Sequence, residues 1–337
     1  MLHPPHTLEI GLAPYWNLLP FKQELLQAGY GNIHIQEGHP TELNERLQQG
    51  QLHLAPCSSI CLATQSDFEM ALALGIASNG PVQSVYLAFK PEHAVLYQRI
   101  QERHKQLQSL FQELLYKSQG YDARRLSSLL WEKTKSLSNT PLSSCPPLVL
   151  SGASASSAVL TRLLYVLWFG HDSYQTMSST KFAKVYEQQQ PIELLIGDEA
   201  LIKRCSFYKT LDLGSLWKDL TGLPFVFAVW QSKGAFLNGF RRKIMEIGEK
   251  AEMRMKGDPL HYMPEPQPKN EQQKNIALAE YWRCIQYRLG PEEMKGLLLF
   301  LCLGRKVLQI PMDTEIFGKI MRWQELCQPG QRWSIGI

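Results

Sequence analysis

No run of 18 apolar residues occurs in this sequence, so no membrane-spanning helix is expected. Basic runs are missing too. No five consecutive Lys or Arg residues occur, and 35 basic against 31 acidic side chains leave a net charge of +4. That balance is too mild to mark a nucleic-acid partner. Cysteine is sparse, with seven in 337 residues, an odd number at scattered positions. Cys57 and Cys61 stand four apart, with no second Cys or His pair to complete a zinc site. His34, His39, His53 and His171 likewise lack companions at metal spacing, so no metal is expected. A reduced compartment fits this cysteine usage. There is no Gly-x-Ser-x-Gly elbow and no His-Glu-x-x-His pair. Residues 1–10 carry neither a basic n-region nor a continuous apolar stretch, so no signal peptide and a cytoplasmic location are expected. No internal repeat is found.

What is present is apolar content, at 44% of 337 residues, enough for two domain-sized cores. Residues 7–13 alternate as a strand, and 14–18 form the loop after it. Pro20 to Gly29 reads as a helix and 32–37 as a second strand. Thr41 is the expected N-cap of a helix running to Gly50. His53, Leu54 and Ala55 begin a third strand, expected to stop at Pro56. The order strand–helix–strand–helix–strand argues for a parallel α/β sheet. Residues 83–89 form another strand. Residues 92–138 are polar and helical, with Leu107, Leu110, Phe111, Leu114 and Leu115 on one face. Gly120 splits them into a hairpin whose apolar stripe is expected to pack on its own domain. A Ser/Asn/Pro-rich loop covers 136–147. The α/β rhythm then resumes with strand 148–150, helix 156–168 and strand 192–196. The C-terminal third is expected to be helical, with a polar linker at 263–273 and helices around 275–289 and 291–303.

The stretch 211–230 joins an amphipathic helical turn, a Thr-Gly-Leu-Pro corner and an uncharged apolar strand. Phe225, Val226, Phe227, Val229 and Trp230 must be buried, because exposed they would form a large apolar strip. Pro224 marks the first residue of that strand, since it cannot sit in a central ladder. We expect one lobe from residues 1–88 plus 224–337 and a second from 89–223, with a helical insertion at about 92–146. Two crossings between the lobes would place a cleft at the hinge. Ligands of open α/β sheets bind beyond the carboxyl ends of the strands, so the loops there should line it.

Those loops are rich in small hydroxyl and amide groups: Tyr15 and Asn17, Cys57-Ser58-Ser59, Ser78-Asn79-Gly80, Ser151 to Ser157, and Gly197-Asp198. The 151–157 run resembles an anion site, because small residues permit close approach to the following helix N-terminus. The same serines serve equally as caps and turn formers. Cys57-Ser58-Ser59 is expected to open a helix and admits the same two readings. Asn17 can donate and accept, yet an Asn in a loop is commonly a turn former. Asp198 can bind a substrate hydroxyl or simply make a turn, and Ser84 lies on a strand where serine usually packs or faces solvent. From the residues alone, the chain is a two-lobed α/β binder of a small anion.

Five segments, taken in order, resemble the menaquinone-biosynthesis family of cytosolic enzymes. They are Tyr15-Trp16-Asn17-Leu18-Leu19-Pro20, residues 76–85 (Ile-Ala-Ser-Asn-Gly-Pro-Val-Gln-Ser-Val), residues 194–201, residues 212–230, and Tyr281 to Phe300 with its Tyr-Arg-Leu-Gly-Pro-Glu-Glu core. Within that family the chain is similar to the chorismate dehydratases of the futalosine route. The resemblance implies a type 2 periplasmic-binding-protein fold: α/β, two-lobed, with an interlobe cleft and a helical insertion in the second lobe. It implies loss of water from chorismate to give 3-[(1-carboxyvinyl)oxy]benzoate, with no cofactor. It places Asn17 and Ser84 at active-site positions and the Cys57-Ser58-Ser59 and Ser156-Ser157 loops at ligand-binding positions. Tyr15, Ser154 and Asp198 complete the expected substrate-binding set. The implied partner is chorismate, with neither nucleic acid nor membrane; a homo-oligomer is left open.

Chorismate carries two carboxylates, which two helix-N-terminal loops suit. No Asp, Glu or His stands in the Asn17 or Ser84 segments, so the substrate's own enolpyruvyl carboxylate is the expected proton acceptor. Two rival readings stand beside this one. The paralogous 1,4-dihydroxy-6-naphthoate synthase uses a histidine of the second lobe, and the flanks of His171 do not resemble its motif. The other rival is a non-catalytic cytosolic binder of small anions.

Overall fold

The computed structural model describes residues 7–118, 120–136, 148–170, 176–178, 191–234, 238–263, 272–311 and 318. By its internal contacts the chain divides into two units. The first is Met1–Ser78, Val226–Gly290 and Thr314–Trp333; the second is Asn79–Phe225, Pro291–Asp313 and Ser334–Ile337.

The first unit starts with the parallel pair β1 (Leu8–Leu12) and β2 (Ile33–Glu37), joined through α1 (Leu19–Gln27). Pro20 stands in the first turn of α1, where its missing N–H costs nothing. The helix turns Phe21, Glu24 and Leu25 inward, and the Phe21 ring lies 4.6 Å from Trp230. Helix α2 (Pro40–Gln48) is capped by His39, not Thr41. The reason is Pro40, whose fixed φ suits the first helical position, so the cap falls one residue before it.

The larger sheet of this unit has the order β11-β4-β10-β3. Its strands are β3 (Ala55–Ser58), β4 (Phe68–Ser78), β10 (Phe225–Lys233) and β11 (Gln286–Arg288). Pro56 does not stop β3: it lies inside the strand, opposite Trp230. It is tolerated because β3 is an edge strand, so one side needs no ladder hydrogen bonds. Strand β10 begins at Phe225, one residue after Pro224. It runs antiparallel to β3, and β11 antiparallel to β4, so the sheet is not the all-parallel one expected. Two strands of this sheet have no counterpart in the sequence reading. Strand β4 is a continuous apolar run without alternation, buried at nearly every position. Strand β11 occupies residues expected to be helical, and α10 (Gln272–Cys284) stops before it. Helix α9 (Asn238–Gly257) covers α1.

The second unit is built on a five-stranded mixed sheet, β7-β6-β8-β5-β9. Its strands are β5 (Val85–Phe89), β6 (Leu148–Leu150), β7 (Thr176–Ser178), β8 (Ile192–Ile196) and β9 (Lys209–Asp212). Strand β6 runs parallel to β7 and β8, whereas β5 is antiparallel to β8 and β9. The helical hairpin is α4 (Ala94–Lys117) and α5 (Ala123–Ser136). Its stripe is buried within the unit, through Ile100, Leu107, Phe111, Leu114, Leu126 and Leu130. Burial of side chains this size stabilises by about 1.5–3 kcal/mol each. Helix α4 packs on α6 (Ala155–Phe169) and α8 (Leu213–Thr221), and α5 packs on α11 (Pro291–Leu308). The hairpin is therefore part of this unit's core. Helix α11 is buried almost all round. It comes so close to the Thr-Gly-Leu-Pro corner that a Cβ on Gly296 would stand 2.1 Å from the Pro224 carbonyl oxygen. The loop 137–147 and most of the 263–273 linker lie outside the described residues.

Candidate functional site

In the first unit the chain leaves β1 and folds into a tight loop. Tyr15 N–H donates to the Ala13 carbonyl at 2.8 Å, and Leu18 N–H donates to that of Tyr15 at 2.9 Å. Two buried aromatic side chains hold this loop from elsewhere in the unit. Trp282 Nε1–H, from α10, donates to the Trp16 carbonyl at 2.7 Å, and the Tyr287 hydroxyl, from β11, donates to the Asn17 carbonyl at 2.5 Å. Burial pushes the Tyr287 phenol well above its ordinary range, so it stays a donor. The Asn17 backbone is thereby fixed. Its side-chain oxygen, Oδ1, is buried and has no hydrogen-bond partner among the described residues. A native structure rarely leaves such an atom unsatisfied, and an unfilled ligand position is one physical reason for it. Beside this loop lies a cavity of about 340 Å³, lined by Leu12, Pro14, Tyr15, Trp16 and Leu18, with the Lys22–Glu37 ion pair (2.7 Å) among its lining residues.

In the second unit Ser84 does not lie on β5 as expected but in the bend immediately before it, because the left-handed Gln83 keeps the chain from extending until Val85; only 3% of the Ser84 surface is exposed. The backbone before it is unusual. Gln83 has φ +61°, in the left-handed region that non-glycine residues seldom adopt. That conformation is held by Asp212, whose carboxylate accepts from Gln83 N–H at 2.8 Å and from Val82 N–H at 3.1 Å. The same carboxylate caps α8 by accepting from Ser215 N–H at 3.0 Å. Burial pushes the Asp212 carboxyl above its usual range, while these backbone donors pull it back. On the other side, Gly197 N–H donates to the Ser84 carbonyl at 2.7 Å. Gly197 has φ +67° and ψ −139°, a combination open in practice to glycine alone.

The remaining expected residues divide by what their polar atoms already do. Cys57 and Ser58 lie within β3, and the helix after them, α3 (Cys61–Thr64), has only four residues. Cys57 is buried, which pushes its thiol well up. The Ser59 hydroxyl is also buried and donates to the Val226 carbonyl at 2.7 Å. Gln231 Nε2 donates to the Cys57 and Ser58 carbonyls, each at 3.2 Å. Ser154 is the N-cap of α6, accepting from Ser157 N–H at 3.2 Å and from the Ser157 hydroxyl at 3.0 Å. Ser156 is buried in the first turn of α6. In this loop the capping role is the one the geometry displays. Asp198 is half-buried in the first turn of α7 (Asp198–Lys203). Tyr15 is half-buried at the cavity. His171 lies outside the described residues.

Sequence reasoning missed four supports: Asp212, Trp282, Tyr287 and Gly197 as a backbone donor. All four stand in the segments that carry the family resemblance.

The two mixed α/β units define a protein of the periplasmic-binding-protein fold class. The chain is similar to the periplasmic aliphatic sulphonate binding protein SsuA from Escherichia coli, with a TM-score of 0.52 at 13% identity over 96% of this chain and 99% of that one. It is also similar to an ABC transporter protein from Parabacteroides distasonis, with a TM-score of 0.50 at 15% identity over 94% of this chain and 96% of the other. At such identities the likeness concerns the fold alone. The sequence itself goes further. A family model for menaquinone biosynthesis matches residues 8–105 and 113–306, and the chain belongs to that menaquinone biosynthesis family. Within the helical hairpin α4, residues 106–112 fall outside the match. Among the described residues no helix is long and apolar enough to cross a membrane.

Proposed function

We propose that this member of the family is a chorismate dehydratase, a carbon–oxygen lyase of the cytoplasmic futalosine route. Family membership supports the biosynthetic setting, and the Asn17 and Ser84 segments support the branch. The observation that carries the reading is the Asn17 carboxamide. It sits on a backbone fixed by Trp282 and Tyr287, with a buried oxygen that lacks a partner among the described residues.

In the reaction the ring carbon that carries the enol-ether oxygen loses its proton and the C–O bond of the hydroxyl on the adjacent ring carbon breaks. The departing hydroxyl receives that proton from the acceptor and leaves as water, and the ring becomes aromatic. Aromatisation supplies a large driving force, so a strong enzymic base is not required. The enolpyruvyl carboxylate of the substrate takes the proton, while Asn17 and Ser84 orient groups and meet developing charge. Positioning supplies much of such an acceleration and preorganised dipoles supply more. Tyr15, Cys57, Ser58, Ser59, Ser154, Ser156, Ser157 and Asp198 are assigned to substrate-binding segments in this proposal, with Ser59, Ser154 and Ser157 contributing through loop shape, since their hydroxyls are engaged.

Incubating the purified protein with chorismate and following the ultraviolet change on aromatisation tests the reading directly. Asn17→Ala should lower kcat about 10²–10³-fold, the cost of one oriented dipole, with little change in chorismate affinity. An unchanged chorismate spectrum refutes the activity. Equal loss of binding and turnover refutes the role of Asn17.

A further inference from the structure

We infer that Asp212 is the positioning residue for Ser84; the inference rests on the dehydratase reading above. A residue whose only task is to cap α8 needs one contact, the 3.0 Å bond from Ser215 N–H. Asp212 makes more. Both its oxygens accept from Val82 N–H at 3.1 Å, and one also accepts from Gln83 N–H at 2.8 Å, about 130 residues away in sequence. These are charge-assisted bonds to backbone, the kind that fixes a turn firmly. They fall on a turn that would not hold itself, since Gln83 is left-handed without being glycine or asparagine. The next residue is Ser84, whose carbonyl is tied to Gly197 N–H at 2.7 Å. Ser84 is thus clamped on both sides. The clamp fixes where Cα and Cβ of Ser84 stand, and so the origin from which its hydroxyl projects. Asp212 itself has its two oxygens engaged by backbone donors, so its work is done through Ser84.

Asp212→Asn keeps the shape but leaves one acceptor oxygen where backbone N–H groups converge on two. A displacement of about 1 Å costs on the order of 10²-fold in rate. We therefore expect kcat for chorismate to fall about 10²-fold, with KM changed by less than about threefold. Three further variants separate positioning from bulk stability. Asp212→Ser retains a good cap for α8 but cannot reach the 82–83 turn; it should lose kcat like D212N while keeping the wild-type far-ultraviolet circular dichroism at the assay temperature. Adding Gln83→Gly to D212N relaxes the turn and should return about tenfold of the lost rate. Adding D212N to Ser84→Ala should lower kcat no further, because the group being positioned is gone. Additive losses in S84A/D212N, no rescue by Q83G, or a D212S protein with full kcat would each overturn the role of Asp212 while leaving the dehydratase reading intact. A wild-type protein that leaves chorismate unchanged would overturn both.

Discussion

Replacing Tyr287 with phenylalanine removes one oxygen atom and leaves every carbon in place. Tyr287 is buried, and its ring packs edge-on against Phe21 at 6.3 Å. That packing survives the change. What goes is the 2.5 Å bond to the Asn17 carbonyl, together with the interaction of the hydroxyl with the Phe21 backbone. The abandoned carbonyl lies where the loop is already tightly bonded, so losing its partner should cost about 1–3 kcal/mol of stability. The functional effect has a different source. Without that bond the loop remains anchored by Trp282 at Trp16, one residue earlier, and Asn17 is free to swing. Under the proposed dehydration of chorismate, a misplacement of about 1 Å predicts a loss on the order of 10²-fold in kcat, with chorismate affinity largely kept. Urea unfolding of the two proteins, followed by fluorescence, measures the first quantity. Initial rates of aromatisation at saturating chorismate measure the second. A Y287F protein destabilised as expected but turning over at the wild-type rate would show that Tyr287 holds the fold and does not position Asn17.

Three other outcomes follow from the same structure. Gly296→Ala would drive a methyl group into the Pro224 carbonyl, and overpacking of this kind costs about 1–3 kcal/mol; a wild-type melting temperature would show that α11 moves aside freely. In native protein at pH 8 the exposed Cys205 should react with a thiol reagent well before the buried Cys57, Cys61 and Cys302, whose thiols burial pushes up (Cys61 to about 11), and peptide mapping of the labelled sites would settle the order. Glu24 is fully buried, which alone would raise its carboxyl, but bonds from Lys250 (2.7 Å) and the Tyr262 hydroxyl (3.0 Å) and the charge of Arg254 outweigh burial and hold it below the ordinary range. Its contribution is complete above the ordinary glutamate value and is lost as pH falls through the lower folded value, so Glu24→Gln should lose stability at pH 7 and show a flatter acid limb in pH-dependent denaturation; parallel curves for both proteins would refute this.

The alternating and amphipathic segments of the fold were legible because each carries its own period. Strands β1, β2 and β8 and helices α1, α4 and α6 follow the expected ranges closely. Strand β4 was not legible. Phe68 to Ser78 is apolar at nearly every position, so it has no period to read, and only its place inside a sheet makes it a strand. Pro56 misled for the opposite reason. The rule against proline in strands is a rule about central strands, and an isolated sequence does not say which strand is an edge. The parallel sheet was over-read from chain order, because β10 returns to the first unit from the second and pairs antiparallel to β3.

For the proposed site, the sequence offered Asn17 and Ser84 as candidates because they stand in recognisable segments. Their supports could not be named, because each acts across a long sequence gap: Tyr287 reaches Asn17 across 270 residues, Trp282 reaches Trp16 across 266, and Asp212 reaches Gln83 across 129. Such distances leave no local periodicity to detect. Yet Asp212, Trp282 and Tyr287 all fall inside the segments that made the family recognisable. A physical reason connects the two facts. A catalytic carboxamide or hydroxyl works only if its backbone is held within a fraction of an ångström, and the groups that hold it are then as constrained as the group itself. The Leu-Asp-Leu-Gly-Ser-Leu-Trp run fits this view throughout. Asp212 bonds the turn before Ser84, while Trp217 donates to the Pro224 carbonyl at 3.1 Å and meets Phe225 and Phe300 edge-on. The signature is therefore a scaffold signature. On the proposed dehydratase reading, a chain could keep both Asn17 and Ser84 and still lose turnover by losing Asp212 or Tyr287.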